Sequence, residues 1–170
     1  MIRRLSLALL IGLTAVIGGA ASSDNSSFLQ VQNFVVQIYN DYAAQSFSAV
    51  HGAMHPQIRE SVSETEYVEF QRQHFAKLNL ELSDIEVGEV TVQPRLPRTI
   101  RDLVVQEENI EVFGVEISYR VRLESGVKLN QNISKTVYVA LVEPGSAQES
   151  VYLLWDPSSM QEEEIGDGSH

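Results

Sequence analysis

The sequence predicts an α+β domain in which N-terminal helices pack on a strongly curved, mostly antiparallel sheet. The first observation is that the hydrophobic period changes once, near Asn79. Apolar residues recur every three or four positions before that point, as in helices, and alternate or run continuously after it until Trp155, as in strands. The second observation is the order, because helices followed by a run of strands favour a sheet covered by helices on one face.

Residues 1–21 have the pattern of a signal peptide. Arg3 and Arg4 precede an apolar stretch at 5–17, and small residues follow at 18–22. The stretch is shorter than the roughly 20 apolar residues that a spanning helix needs. We therefore expect export to the periplasm or the extracellular space, with no stable membrane anchor after cleavage. An uncleaved anchor is the alternative. The chain has no cysteine, so the exported domain must be stable without disulfides.

The remaining chain has the length and charge of one acidic domain. Residues 24–157 form the predicted domain, and 158–170 form a predicted disordered acidic tail. The 12 basic and 23 acidic residues give a formal net charge of −11 at pH 7, which disfavours binding to phosphate backbones. Nucleic acid is therefore not an expected partner.

Capping signals place the helices. Ser27 with Gln30 predicts the start of the first helix, and Ser63 with Glu66 predicts the start of a later helix that ends at Leu78. A shorter helix is predicted over residues 46–54, with Pro56 stopping it.

In the strand half, the alternation changes face at Gly88-Glu89 and again at Phe113-Gly114. A change of face at a glycine is typical of a β-bulge, so two bent strands and a curved sheet are expected. The segments 136–142 and 151–155 are apolar on both faces, which predicts that both of their faces are covered. A homodimer through the sheet face is one way to cover them.

This plan resembles the nuclear transport factor 2-like superfamily, which has the cystatin-like cone fold shared with ketosteroid isomerase. The resemblance covers nearly all of residues 24–157, and within it the chain is similar to small exported members that carry no assigned activity. The insertion at 93–101 and the polar tail depart from the compact form. The matching features are the amphipathic helix at 31–42, Asp41-Tyr42-Ala43-Ala44 leading to Met54-His55-Pro56, the helix start Ser63-Glu64-Thr65-Glu66-Tyr67-Val68-Glu69-Phe70, and strands closing on Leu153-Leu154-Trp155.

A cone of this kind would leave a pocket between the sheet and the helices, and an apolar small molecule is its expected ligand. The predicted ligand-binding residues are Tyr39, Tyr42, His74, Tyr119, Tyr138 and Trp155. Core packing alone would also explain this set of aromatic residues. Asp41, between Tyr39 and Tyr42, is a residue type that an isomerase would use as a base, but the sequence does not bring a carboxylate and an oxyanion donor into one cavity. We therefore predict no catalytic residue.

The sequence contains a histidine pair and an arginine cluster that bear on metal ions and charged partners. His51 and His55 are four residues apart, but no third ligand is evident, so we predict bonded or surface histidines and neither a metal nor a cofactor. Arg95, Arg98 and Arg101 form the only basic cluster, in a segment expected to be extended like polyproline, and are the predicted contacts for an anion or an acidic partner.

The sequence thus predicts an exported, non-catalytic domain that binds a small ligand or another protein. The alternative is a pocket enzyme of the isomerase or dehydratase type, with a carboxylate or histidine as base.

Overall fold

The computed structural model describes residues 21–92, 94–104, 109–123 and 129–160. They form an α+β fold in which four helices precede a curved, unclosed antiparallel sheet. The helices are α1 (Ala21–Ala43), α2 (Phe47–Gly52), α3 (Pro56–Ser61), α4 (Glu64–Leu78) and α5 (Arg98–Val104). The strands are β1 (Leu80–Val92), β2 (Ile110–Leu123), β3 (Leu129–Val142) and β4 (Ser150–Leu154), and a 3₁₀ turn (Pro157–Met160) follows.

The helix starts follow the capping signals only in part. The capping box predicted at the start of α4 is confirmed. Ser63 Oγ accepts from the Glu66 amide at 3.3 Å, and Glu66 Oε2 accepts from the Ser63 amide at 3.0 Å. The box predicted at Ser27 is wrong, because α1 already begins at Ala21 and Ser27 lies inside it. Pro56 does separate two helices, and it also opens α3, where a missing amide hydrogen costs nothing.

The sheet has the order β1-β2-β3-β4 with every neighbouring pair antiparallel. The register of β1 against β2 shifts between Val87 and Val90, which confirms the bulge predicted at Gly88-Glu89. A second shift, between Ser83 and Glu86, was not predicted. Two irregularities in one strand bend it and increase its twist.

The bulge predicted at Phe113-Gly114 is wrong. β2 pairs with β3 without interruption from Ile110, opposite Val142, to Leu123, opposite Leu129. The apolar residues change face there because the outer face is also covered. A Cβ placed on Gly114 would lie 3.2 Å from Cβ of Pro94, so the chain after β1 packs directly on this part of the sheet.

Strand β4 has its outer edge capped by the connection between α2 and α3. The Leu153 amide donates to the Ala53 carbonyl at 2.9 Å, and the His55 amide donates to the Leu153 carbonyl at 3.0 Å. Ala140 is buried on one face of β3 while Val139 and Leu141 are buried on the other. The prediction that this end of the sheet is covered on both faces is therefore confirmed.

Towards the other end of the sheet, the outer face of β1 and β2 is polar. Arg120 lies 2.6 Å from Asp84, and Arg122 lies 3.3 Å from Glu81, with all four side chains largely exposed.

Within the described ranges, no helix is both long enough and apolar enough to cross a bilayer. The predicted signal peptide lies outside the described residues except for Ala21. The predicted tail lies outside them from residue 161 onward, whereas 158–160 belong to the 3₁₀ turn.

Candidate ligand-binding site

Two adjacent hollows lie beside the sheet. One is on its inner face, the face that α1 covers, and the other is at the edge of β3, where residues of both faces line it. The α4 hollow, of about 420 Å³, lies between α1, α4 and the inner face of β1–β3. The β4 hollow, of about 240 Å³, lies where β4 ends and α5 approaches α1. The residues that line both hollows are Tyr39, Tyr42, Lys135, Trp155 and Ser159, and we refer to them as the common wall.

The aromatic members of the common wall come from α1 and from the chain just after β4. Tyr39 and Tyr42 are three residues apart, so they lie on one face of α1 and both point to the sheet. The ring centroid of Tyr39 is 5.4 Å from that of Tyr119 on β2. Trp155 packs edge-on against Tyr67 of α4, with 5.2 Å between the ring centroids. The wall is thus fixed by contacts with both α4 and the sheet.

A hydrogen bond joins the hydroxyls of Tyr42 and Tyr67 across this wall, with 2.6 Å between the oxygens. Desolvation by burial raises the pKa of both phenols well above the ordinary value of 10.0. Burial raises the pKa of Tyr39 in the same way. At neutral pH these phenols are uncharged, and the rings of Tyr39 and Tyr42, which line the hollows, offer apolar surface to a ligand.

Lys135 brings a positive charge to the common wall. Its ammonium nitrogen is 5.6 Å from the ring centroid of Tyr39 and 5.8 Å from that of Tyr119, within the range of a cation–π contact. Although much of the side chain is exposed, desolvation at the hollow lowers the pKa of Lys135. The residue lies on the part of β3 that extends beyond β4, whose pairing stops at Tyr138.

The six ligand-binding residues predicted from the sequence all line these hollows. Tyr39, Tyr42 and Trp155 line both. His74, which stacks on Phe70 with 6.2 Å between ring centroids, lines the α4 hollow. Tyr119 also lines the α4 hollow, whereas Tyr138 lines only the β4 hollow, so the structure does not place all six in one cavity. Their role in binding a ligand stays a prediction.

Lys135 was not predicted as a lining residue, although the sequence contains a signal for it. Ile133, Lys135 and Val137 occupy alternate positions of one strand, so the lysine falls in an otherwise apolar inner row. A charged residue in such a row indicates either a strand edge or a site. The lining residues contributed by other elements, which no local pattern marked, are Gln71, Phe75, Ile100, Asp156 and Ser159.

Among the described lining residues of the two hollows, Asp156 is the single carboxylate. Its Oδ1 accepts from the amide of Ser158 at 2.9 Å and from the hydroxyl of Ser158 at 2.8 Å, and its Oδ2 accepts from Thr99 Oγ1 at 2.9 Å. Asp156 therefore caps the 3₁₀ turn. Asp41 lines neither hollow, and its carboxylate accepts from Gln37 at 3.1 Å on the exposed side of α1.

The two histidines considered for metal binding are part of the core. His51 Nε2 lies 2.9 Å from the Val62 carbonyl oxygen. His55 is fully buried and packs edge-on against Tyr152, with ring centroids 5.4 Å apart. Within the described part of the chain, no group of three or more histidine, aspartate or glutamate side chains is placed to hold a metal ion.

The arginine cluster differs in conformation from the extended segment expected. Arg98 and Arg101 lie in α5, where the Arg101 amide donates to the Pro97 carbonyl at 2.9 Å. Their guanidinium groups lie 3.3 and 3.7 Å from the carboxylate of Asp102, and Arg95 is exposed just before the helix. These ion pairs reduce the charge offered to a partner, and the partner-binding role of the cluster stays a prediction.

A scan of the sequence against protein-family models gives no match, and a search of the curated proteins gives none either.

Proposed function

We propose that this protein is a non-catalytic binding domain that holds a small, ring-containing apolar molecule in the α4 hollow, against the common wall. One observation carries the proposal. A space of about 420 Å³ stays open beside a tightly packed core and is lined mainly by aromatic and aliphatic side chains. Small-molecule sites commonly have volumes of about 300–1,000 Å³, with such a lining and a few polar groups.

The chemistry of the lining favours binding over catalysis. The carboxylate of Asp156 is held by three hydrogen bonds, and the phenols of Tyr42 and Tyr67 are paired with each other. The aromatic rings, by contrast, present flat apolar surface on which another ring can stack. An isomerase or dehydratase would need a base aimed into the cavity and an oxyanion donor beside it. His74 lines the α4 hollow and is the candidate base, but its ring stacks on Phe70 and the phenols of Tyr42 and Tyr67 are paired, so we rank that alternative lower.

The same reasoning ranks the pocket above the sheet face as an interaction surface. The outer face of β1 and β2 carries exposed ion pairs rather than an apolar patch. A homodimer through that face remains a prediction, to be tested by light scattering at high protein concentration. The proposal includes export of the protein and membership of the nuclear transport factor 2-like superfamily, which rest on the sequence patterns.

The single tryptophan of the chain makes a direct binding test possible. Trp155 lies in the common wall, so its fluorescence reports on both hollows. We expect the neutral probe N-phenyl-1-naphthylamine to quench Trp155 emission saturably, with one molecule bound per chain and with energy transfer to the probe. A linear response without saturation, up to the solubility limit of the probe, would contradict the proposal.

Native mass spectrometry of the protein purified from its own host provides the matching search for the natural ligand. We expect a reproducible added mass that is lost on denaturation. The control compares titrations with the naphthylamine probe before and after the natural ligand is removed. If that ligand occupies the hollow, the protein as purified should bind the probe more weakly than the stripped protein.

A further inference from the structure

We infer that the natural ligand is an organic anion, with an apolar ring-containing body in the α4 hollow and one acidic group on the ammonium of Lys135. This inference rests on the proposed function and narrows it to a ligand class. The acidic group is a carboxylate, a sulfonate or a group of equivalent charge, small enough to sit at the common wall.

The first support is the isolation of this charge. Lys135 is the only lysine or arginine among the described residues that line the two hollows, where His74 is the other basic side chain. No described carboxylate forms an ion pair with it, and its described contacts are the rings of Tyr39 and Tyr119. Several other basic residues have a carboxylate partner within 4 Å, namely Arg98, Arg101, Arg120 and Arg122.

The second support is the composition of the chain. With 23 acidic and 12 basic residues, acidic partners for a lysine are plentiful. An ammonium that lies above two phenol rings with no ion-pair partner among the described carboxylates is therefore a specific arrangement, and the ligand's acidic group supplies a partner. The ammonium can donate a charge-assisted hydrogen bond to that acidic group.

The third support is position. Lys135 belongs to the wall that the two hollows share, so a molecule whose rings lie between His74, Leu82 and Val121 can place its acidic end on the ammonium. The net charge of −11 repels anions at long range. Any preference for an anionic ligand over its neutral analogue must therefore come from a local contact.

Two dyes of nearly the same shape separate the charge from the apolar contact. 8-Anilinonaphthalene-1-sulfonate carries a sulfonate, and N-phenyl-1-naphthylamine is the same ring system without it. We expect Lys135→Met to weaken binding of the sulfonate about tenfold, the low end for loss of a hydrogen bond to a charged group. Binding of the neutral dye should change by less than about twofold, which also verifies that the variant is folded.

Two further variants act as controls. Lys77→Met removes the same side chain from an exposed position on α4 that lines neither hollow, so it should leave the affinity for both dyes unchanged. Lys135→Arg keeps the charge and should retain most of the affinity for the sulfonate.

The outcomes distinguish the two proposals. If both dyes bind and Lys135→Met affects neither, or weakens both equally, the anion inference is overturned while the pocket proposal stands. If Lys77→Met weakens the sulfonate as much as Lys135→Met, the effect is one of net charge and the inference is again overturned. If neither dye binds the unmodified protein, the pocket proposal falls and the inference falls with it.

Discussion

The inner face of the sheet has a filled half and an open half, built from the same strands with the same alternation. In the filled half, Phe113, Val115 and Leu141 are at most 2% exposed and belong to the core. In the open half, Leu82, Tyr119 and Val121 are only half-buried and line the α4 hollow. The comparison teaches that one hydrophobic pattern can supply both a core and a pocket.

Strand length provides a physical reason for the difference. β2 and β3 have 14 residues each and β1 has 13, but β4 has only 5. β4 pairs with β3 only between Tyr138 and Val142. Strands β1, β2 and β3 continue past Tyr138 without a fourth strand beside them. Strand β4 lies beside the end of β3 that contains Val139 and Leu141, and the hollows begin near the point where β4 ends.

The largest expected difference between the halves is in the free energy of unfolding. Leu141→Ala in the filled half should lower it by about 2–5 kcal/mol, because the fully buried site leaves a cavity. Leu82→Ala makes the same change in the open half and should cost about 1 kcal/mol, because its side chain already borders open space. Urea unfolding of both variants measures the difference, and equal losses would mean that the halves do not differ in packing.

Filling the open half should remove ligand binding without destabilising the fold. Val121→Phe projects a ring into the α4 hollow, and we expect the affinity for N-phenyl-1-naphthylamine to fall about tenfold. Val92→Phe is the matched control, because Val92 is 49% exposed and lines neither hollow. Equal affinities for the two variants, measured by dye titration, would place the dye elsewhere.

The hydrogen bond between Tyr42 and Tyr67 should contribute less. Tyr67→Phe should lower the free energy of unfolding by about 1 kcal/mol, because it removes this bond and leaves the Tyr42 hydroxyl without it. The double variant Tyr42→Phe, Tyr67→Phe should lose less than the sum of the single losses, since no phenol is then left unpaired. Additive losses in urea unfolding would contradict coupling across the wall.

Ionisation of the buried phenols should have the smallest effect, because it changes the free energy of unfolding only when the pH rises above about 10. Burial raises the pKa of Tyr39, Tyr42 and Tyr67 above the ordinary value of 10.0, so the folded state binds these protons more tightly than the unfolded state. This contribution to stability is complete below pH 10 and is lost as the pH rises further. The part of the phenolate absorbance at 295 nm that comes from these buried tyrosines should therefore appear only at the pH at which circular dichroism shows unfolding. Complete titration near pH 10 in the folded protein would refute this.

The fold class could be predicted because period and order are local properties of the sequence. The change of period near Asn79 and the capping box at Ser63 identified the helical half and its end. The false bulge at Phe113-Gly114 has a non-local cause. The outer face there is covered by Pro94, and a single strand's pattern does not tell whether a face is covered by another segment or the register has shifted.

The candidate site could be predicted in its aromatic residues but not in its charge. Tyr39 and Tyr42 on the first helix and Trp155 at the end of the last strand could be predicted because a pocket was expected between the helices and the sheet, and both of these elements face it. Lys135 was missed because the strand was predicted to begin at residue 136, whereas β3 begins at Leu129 and carries Lys135 in its inner row. The division of the aromatic residues between two hollows depends on α5, and the sequence pattern there had predicted an extended segment instead of a helix.

Chemical-shift mapping of the uniformly ¹⁵N-labelled protein with N-phenyl-1-naphthylamine tests the contrast between the two halves most directly. The account predicts that saturable shifts concentrate at amides of the open half, around Leu82, Tyr119 and Val121. Amides around Val115 and Val139 in the filled half should stay nearly unchanged. Shifts spread evenly over both halves, or confined to the outer face of the sheet, would contradict the claim that the open half is the binding site.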